Sequence, residues 1–108
     1  MSFSKETLNK LYDIEEMEKS NAMSVWGQRY NSKHEAYAVI LEELEEAKTE
    51  MTHAEINLST LWASIKNNID VEPHVINTRN NAILCAAECL QVAGCCDKFL
   101  DQLRGETL

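Results

Sequence analysis

The stretch KHEAYAVILEELEEAKTEM, residues 33–51, decides the fold. Ala36, Tyr37, Ile40, Leu41, Leu44, Ala47 and Met51 recur in it at the three- and four-residue steps that gather side chains on one broad face of an α-helix. No glycine or proline interrupts the run. Ser32 followed by Glu35 is a capping box, which satisfies two of the N–H groups a helix start leaves exposed.

Working outward, Thr52 with Glu55 forms a second capping box. The chain either bends there into a further helix carrying Ile56, Leu58, Leu61, Trp62 and Ile65, or runs straight on. Asn67-Asn68-Ile69-Asp70 ends this segment, and Pro73 suits the first turn of the next helix. The last helix is expected from about His74 to Leu103 and is rich in small residues, among them Ala82, Ala86, Ala87, Ala93 and Gly94. A glycine inside a helix costs about 1 kcal/mol against alanine, so Gly94 predicts the close approach of a neighbour. On the N-terminal side, Leu8, Leu11, Ile14 and Met17 predict a helix from about Lys5 to Ser20. Ser20-Asn21 and residues 26–31 read as a connection, with Trp26 and Tyr30 tucked against the helices. The expectation is an all-α fold, an antiparallel bundle of about four helices in a single domain. Residues 1–25 form the N-terminal helix and connection, and residues 26–103 the helical core.

With 108 residues, 44% of them hydrophobic, the chain can build one modest core, and such a core gains from self-association. A net charge of −8 repels a nucleic-acid backbone, which makes DNA or RNA a poor partner. A free nucleotide differs, because a divalent cation can stand between carboxylates and phosphates. Polar sequence directly after Met1 and the lack of any apolar run near ~20 residues argue against a signal peptide and a membrane span. Cys85, Cys89, Cys95 and Cys96 share one predicted helix, where adjacent Cys95 and Cys96 cannot easily pair. Reduced thiols and a cytoplasmic location fit this pattern. Cys85 and Cys89 lie one turn apart, but no second pair with zinc spacing accompanies them. His34, His53 and His74 are scattered near helix ends. No Walker loop, nucleophile elbow or dinucleotide fingerprint is present.

The chemistry concentrates in Glu42-Glu43-Leu44-Glu45-Glu46. Glu43 falls between Ile40 and Ala47 at helical spacing and so points toward the apolar side. Glu46 lies one turn after Glu42 on a flanking stripe, and Glu45 faces solvent. Glu88 and Gln91 form a polar pair amid Ala87, Leu90 and Ala93 of the last helix. Acids turned inward from two helices can hold a hard cation through oxygen ligands. Lys98 either reaches a phosphate or lays its stem along the surface. Trp26, Tyr37 and Trp62 either stack on a base or pack in the core, the commoner fate in a bundle.

Glu42-Glu43-x-x-Glu46 resembles the EExxE motif of the MazG-type all-α nucleotide pyrophosphohydrolases, and Glu88-x-x-Gln91 falls where their ExxD motif belongs. The similarity covers roughly residues 26–103 and looks closest to short phage- or prophage-borne members. It implies a helical bundle assembled as a homodimer or homotetramer. It also implies Mg2+ held by Glu42, Glu43, Glu46 and Glu88, with Gln91 as a further metal or substrate contact and Lys98 as a phosphate contact. The implied reaction cleaves a nucleoside triphosphate to monophosphate and pyrophosphate. Gln91 departs from the pattern, since its amide lacks the charge of the family's aspartate. That departure keeps a second reading open, in which the bundle is a non-catalytic scaffold of phage origin, acting as an inhibitor or a nucleotide sponge. The same glutamates also fit a solvated helix face.

Overall fold

The computed structural model describes residues 2–106, with the side chains of Trp26 and Glu106 outside that description. Three helices make up the order α1 (Lys5–Trp26), α2 (Lys33–Lys66) and α3 (Glu72–Glu106), with no strand among the described residues. No helix among them is long and apolar enough to cross a membrane.

Each boundary has a local cause. Ser4 caps α1, its hydroxyl accepting from the Thr7 N–H at 3.1 Å. The helix runs six residues past the expected end at Ser20 and stops at Gly27, whose φ of 82° few other residues adopt at no cost. Ser32 starts α2 as expected, accepting from the Glu35 N–H at 3.0 Å, while the Glu35 carboxylate accepts from Asn31 Nδ2. α2 is one helix of 34 residues, so the described chain has three helices where about four were expected. Thr52 does not cap a new helix. Its hydroxyl donates to the Lys48 carbonyl within α2, and no glycine or proline lies between Lys33 and Lys66 to break the ladder. The C-terminus of α2 closes in a Schellman turn, with the Ile69 N–H on the Ser64 carbonyl, the Asn68 N–H on the Ile65 carbonyl and Asn68 at φ 54°. The Asp70 carboxylate then receives the Glu72 N–H, and Pro73 sits in the first turn of α3, where its missing N–H costs nothing.

The chain divides into two compact units. The first holds the residues up to Glu43 together with those from Cys89 onward, and the second is the hairpin Leu44–Glu88. The core of the first unit is Ala22, Tyr30, Ala36, Val39 and Cys95, with Ile40 and Phe99 packed against it. Tyr30 is its keystone. Its N–H donates to Gln102 Oε1 at 2.7 Å, its carbonyl accepts from Gln102 Nε2 at 3.0 Å, and its hydroxyl donates to the Cys95 carbonyl at 3.2 Å. The Phe99 ring meets it edge-on, with centroids 6.0 Å apart. Gly94 has the close neighbour its position predicted: a Cβ there would stand 2.8 Å from the Lys19 backbone nitrogen and 2.9 Å from the Glu18 carbonyl carbon. Lys19 ties the same two helices through Asp97 and Asp101.

The hairpin is built differently. Its inward positions on α2 include Ala47, Glu50, Ala54, Asn57, Leu61 and Ser64, so small and polar side chains make up most of the seam. Asn57 Nδ2 donates to Asn81 Oδ1 at 2.7 Å, and Asn81 Nδ2 donates to Glu50 Oε2 at 3.3 Å. Cys85 donates its thiol to the Ala47 carbonyl at 3.3 Å.

Candidate metal centre

The period of the helices places the acids. On α2 the inward positions 43, 47, 50, 54 and 57 repeat by three and four, which turns Glu43 inward as expected. On α3, positions 74, 78, 81, 85 and 88 repeat the same way, so Glu88 is half-buried at the end of that stripe. Within the hairpin, Glu46 and Glu88 each bring a carboxylate oxygen within 4.8 Å of the other. Glu42, Glu45 and Glu46 are all exposed, and neither Glu42 nor Glu45 is part of this grouping. Oxygen donors from carboxylates at such a separation fit a hard divalent cation and suit zinc or copper poorly.

Glu43 and Gln91 both belong to the first unit. Together with Glu18, Asn21, Ala22, Val25 and Cys95 they line a pocket of about 190 Å³. Burial lifts the pKa of the Cys95 thiol, the Tyr30 hydroxyl opposes this, and the nearby Glu43 charge raises it further. The thiol at the pocket wall is therefore a protonated, sluggish nucleophile. None of the four cysteines forms a disulfide.

Lys98 neither reaches outward nor lies along the surface. It is 1% exposed, and its ammonium sits 3.8 Å from the centroid of the Tyr30 ring. Its Nζ has no hydrogen-bond partner among the described residues. At that burial a phosphate does not reach the ammonium without a rearrangement around it. Tyr37 and Trp62 are exposed rather than packed in a core, with Lys66 lying over the Trp62 ring. Tyr30 is buried as expected, and Trp26 lies outside the described side chains.

Two sets of polar residues near these acids were not anticipated. Glu50, Asn57 and Asn81 continue the inward polar line of the hairpin. Their signal was present, because Glu43, Glu50, Asn57 and Ser64 repeat every seven residues, as do His74, Asn81 and Glu88. Glu18 and Asn21 reach the pocket because α1 continues through a stretch read as a connection. No protein-family model, curated protein or solved structure matches this chain.

Proposed function

We propose that the chain is a magnesium-dependent nucleotide-binding protein that cleaves a nucleoside triphosphate to its monophosphate and pyrophosphate. The observation that carries this reading is the approach of Glu46 and Glu88, carboxylate to carboxylate from two helices, within 4.8 Å. Like charges so close repel, and a divalent cation turns that repulsion into attraction. Glu46 and Glu88 would hold the cation, with Glu43 the next carboxylate along α2. A bound magnesium supplies the charge neutralisation that lets a triphosphate approach an acidic protein. The resemblance of the two acidic motifs to the MazG-type pyrophosphohydrolases supports the reaction class. The pocket beside Glu43 and Gln91 is smaller than the ~300 Å³ at which ligand pockets usually begin, so it suits part of a nucleotide rather than the whole.

Gln91 favours a second reading. With an amide where an acid would strengthen the cation site, the protein can hold nucleotide without turning it over, or serve as a scaffold. Calorimetric titration of magnesium, alone and with a panel of nucleoside triphosphates, separates these outcomes when pyrophosphate release is followed in parallel. The expected result is saturable magnesium binding and pyrophosphate release. Glu46→Gln and Glu88→Gln should each weaken the cation affinity by about tenfold or more, in line with the sensitivity of such sites to ligand charge. Binding without release identifies the sponge. A folded protein that takes up neither cation nor nucleotide overturns the metal site and leaves the scaffold.

A further inference from the structure

The second unit has its polarity reversed. Its helix–helix seam carries Glu50, Asn57, Asn81 and the buried Ser64, while apolar side chains stand outside. Leu44, Met51, Leu58 and Ile65 repeat every seven residues along α2 and are each between 44% and 56% exposed. Each lies one residue beyond an inward position, about 100° around the helix. α2 therefore carries two seven-residue seams, one closed against α3 and one open. A seven-residue apolar repeat is the pattern by which one helix packs along another, and a row of exposed apolar side chains marks an interaction surface.

The charges on this strip select its occupant. Beside the apolar positions lie Lys48 and Glu55, three residues before Met51 and four after it, both exposed. If a second copy of α2 lies antiparallel across Met51, Lys48 stands about 4.5 Å along the axis from the centre and Glu55 of the second copy about 6 Å, on the same side. Opposite charges then face each other twice, once on each side of the two-fold axis. Leu44 faces Leu58, and Met51 faces its own copy. The pattern continues outward on the same helix, with Leu41 against Trp62 and Tyr37 against Ile65, all four exposed in the single chain. A parallel alignment would instead set Lys48 on Lys48 and Glu55 on Glu55.

We infer that α2 is the interface between two copies of this chain, paired antiparallel about Met51. The strip is self-complementary in the way a two-fold interface requires. This goes beyond the proposed cation site, and either idea can fail without the other.

The test is sedimentation equilibrium of the full-length protein over roughly a hundredfold range of concentration, with far-ultraviolet circular dichroism as the control for helix content. The wild type should approach twice the 12.3 kDa chain mass. Lys48→Glu and Glu55→Lys each place like charges opposite one another and should weaken association by about tenfold or more at low salt. The double variant Lys48→Glu/Glu55→Lys exchanges the charges and should recover the wild-type constant. A 12.3 kDa species at every concentration overturns the pairing. So do single reversals that associate as tightly as the wild type, or a double variant that stays as weak as the singles.

Discussion

Lys98 shows how one side chain can set the alkaline behaviour of the first unit. Its ammonium is buried against the Tyr30 ring, a contact worth up to about 2 kcal/mol when desolvated. Removing a charge from water costs more than that unless hydrogen bonds replace the lost hydration. Burial accordingly holds the Lys98 pKa below that of an exposed lysine, with Cys95 and Glu35 opposing the shift. The folded chain then binds fewer protons than the unfolded chain between the lowered pKa and about 10.4, so the Lys98 contribution to stability rises with pH across that window. Tyr30, Cys95 and Cys96 pull the other way, because burial raises each of their pKa values and the folded state keeps protons that the unfolded state gives up. The difference between wild type and Lys98→Met isolates the lysine. The variant should be more stable at pH 7 by about 1 kcal/mol, the low end for replacing a buried charge by an apolar side chain. Chemical denaturation should show that advantage shrinking as pH rises toward 10. An advantage independent of pH would mean that packing, not charge, separates the two proteins.

At the scale of the element, α3 is shaped by one glycine and α2 by two seams. Gly94→Ala would drive a methyl group against backbone atoms of α1, which cannot swing aside as a flexible side chain would. Overpacking costs about 1–3 kcal/mol, against about 1 kcal/mol regained in helix propensity, so the variant should lose stability. A fall in thermal midpoint of several degrees is expected; an unchanged or higher midpoint would mean that the helices separate freely at that point. The need for a small residue at Gly94 was readable because glycine has no other reason to stand within a helix. The helical character of every segment, the start of α2 and its end at Asn67-Asn68 were readable for similarly local reasons. The apolar set of residues 36–51 was read as one face, and it is two. Ala36, Ile40 and Ala47 turn inward, while Tyr37, Leu41, Leu44 and Met51 stay outside. Neighbouring residues differ by only 100°, so the apolar pattern of one chain cannot separate a broad single face from two adjacent seams. The same limit applied at Thr52, where a capping signal is overridden by an uninterrupted hydrogen-bond ladder. Glu46 was legible as a candidate from the spacing Glu42-Glu43-x-x-Glu46, and Glu88 because an acid stood out in a helix of small residues. Asn57 and Asn81 were not singled out: their seven-residue repeats with Glu50 and Glu88 mark a shared face, but not that the two asparagines pair with each other.

The whole molecule is two units with opposite needs. The first has a buried core and a tyrosine clamped by Gln102. The second leaves its apolar side chains in water and its polar ones in the seam. Association that covers the second unit stabilises the folded state by mass action. The thermal midpoint should therefore climb as protein concentration is raised, and Met51→Glu should remove the dependence by setting two like charges against each other at the centre. A midpoint constant under dilution would show that the hairpin stands without a partner. The two units also differ in how far along the chain their contacts reach. Asn57 and Asn81 in the hairpin are 24 residues apart, whereas Tyr30 waits for Gln102, 72 residues on. Near contacts form before distant ones, because a longer loop must be closed first. On refolding, the hairpin therefore closes over a short loop and carries its apolar row while Tyr30 still awaits Gln102.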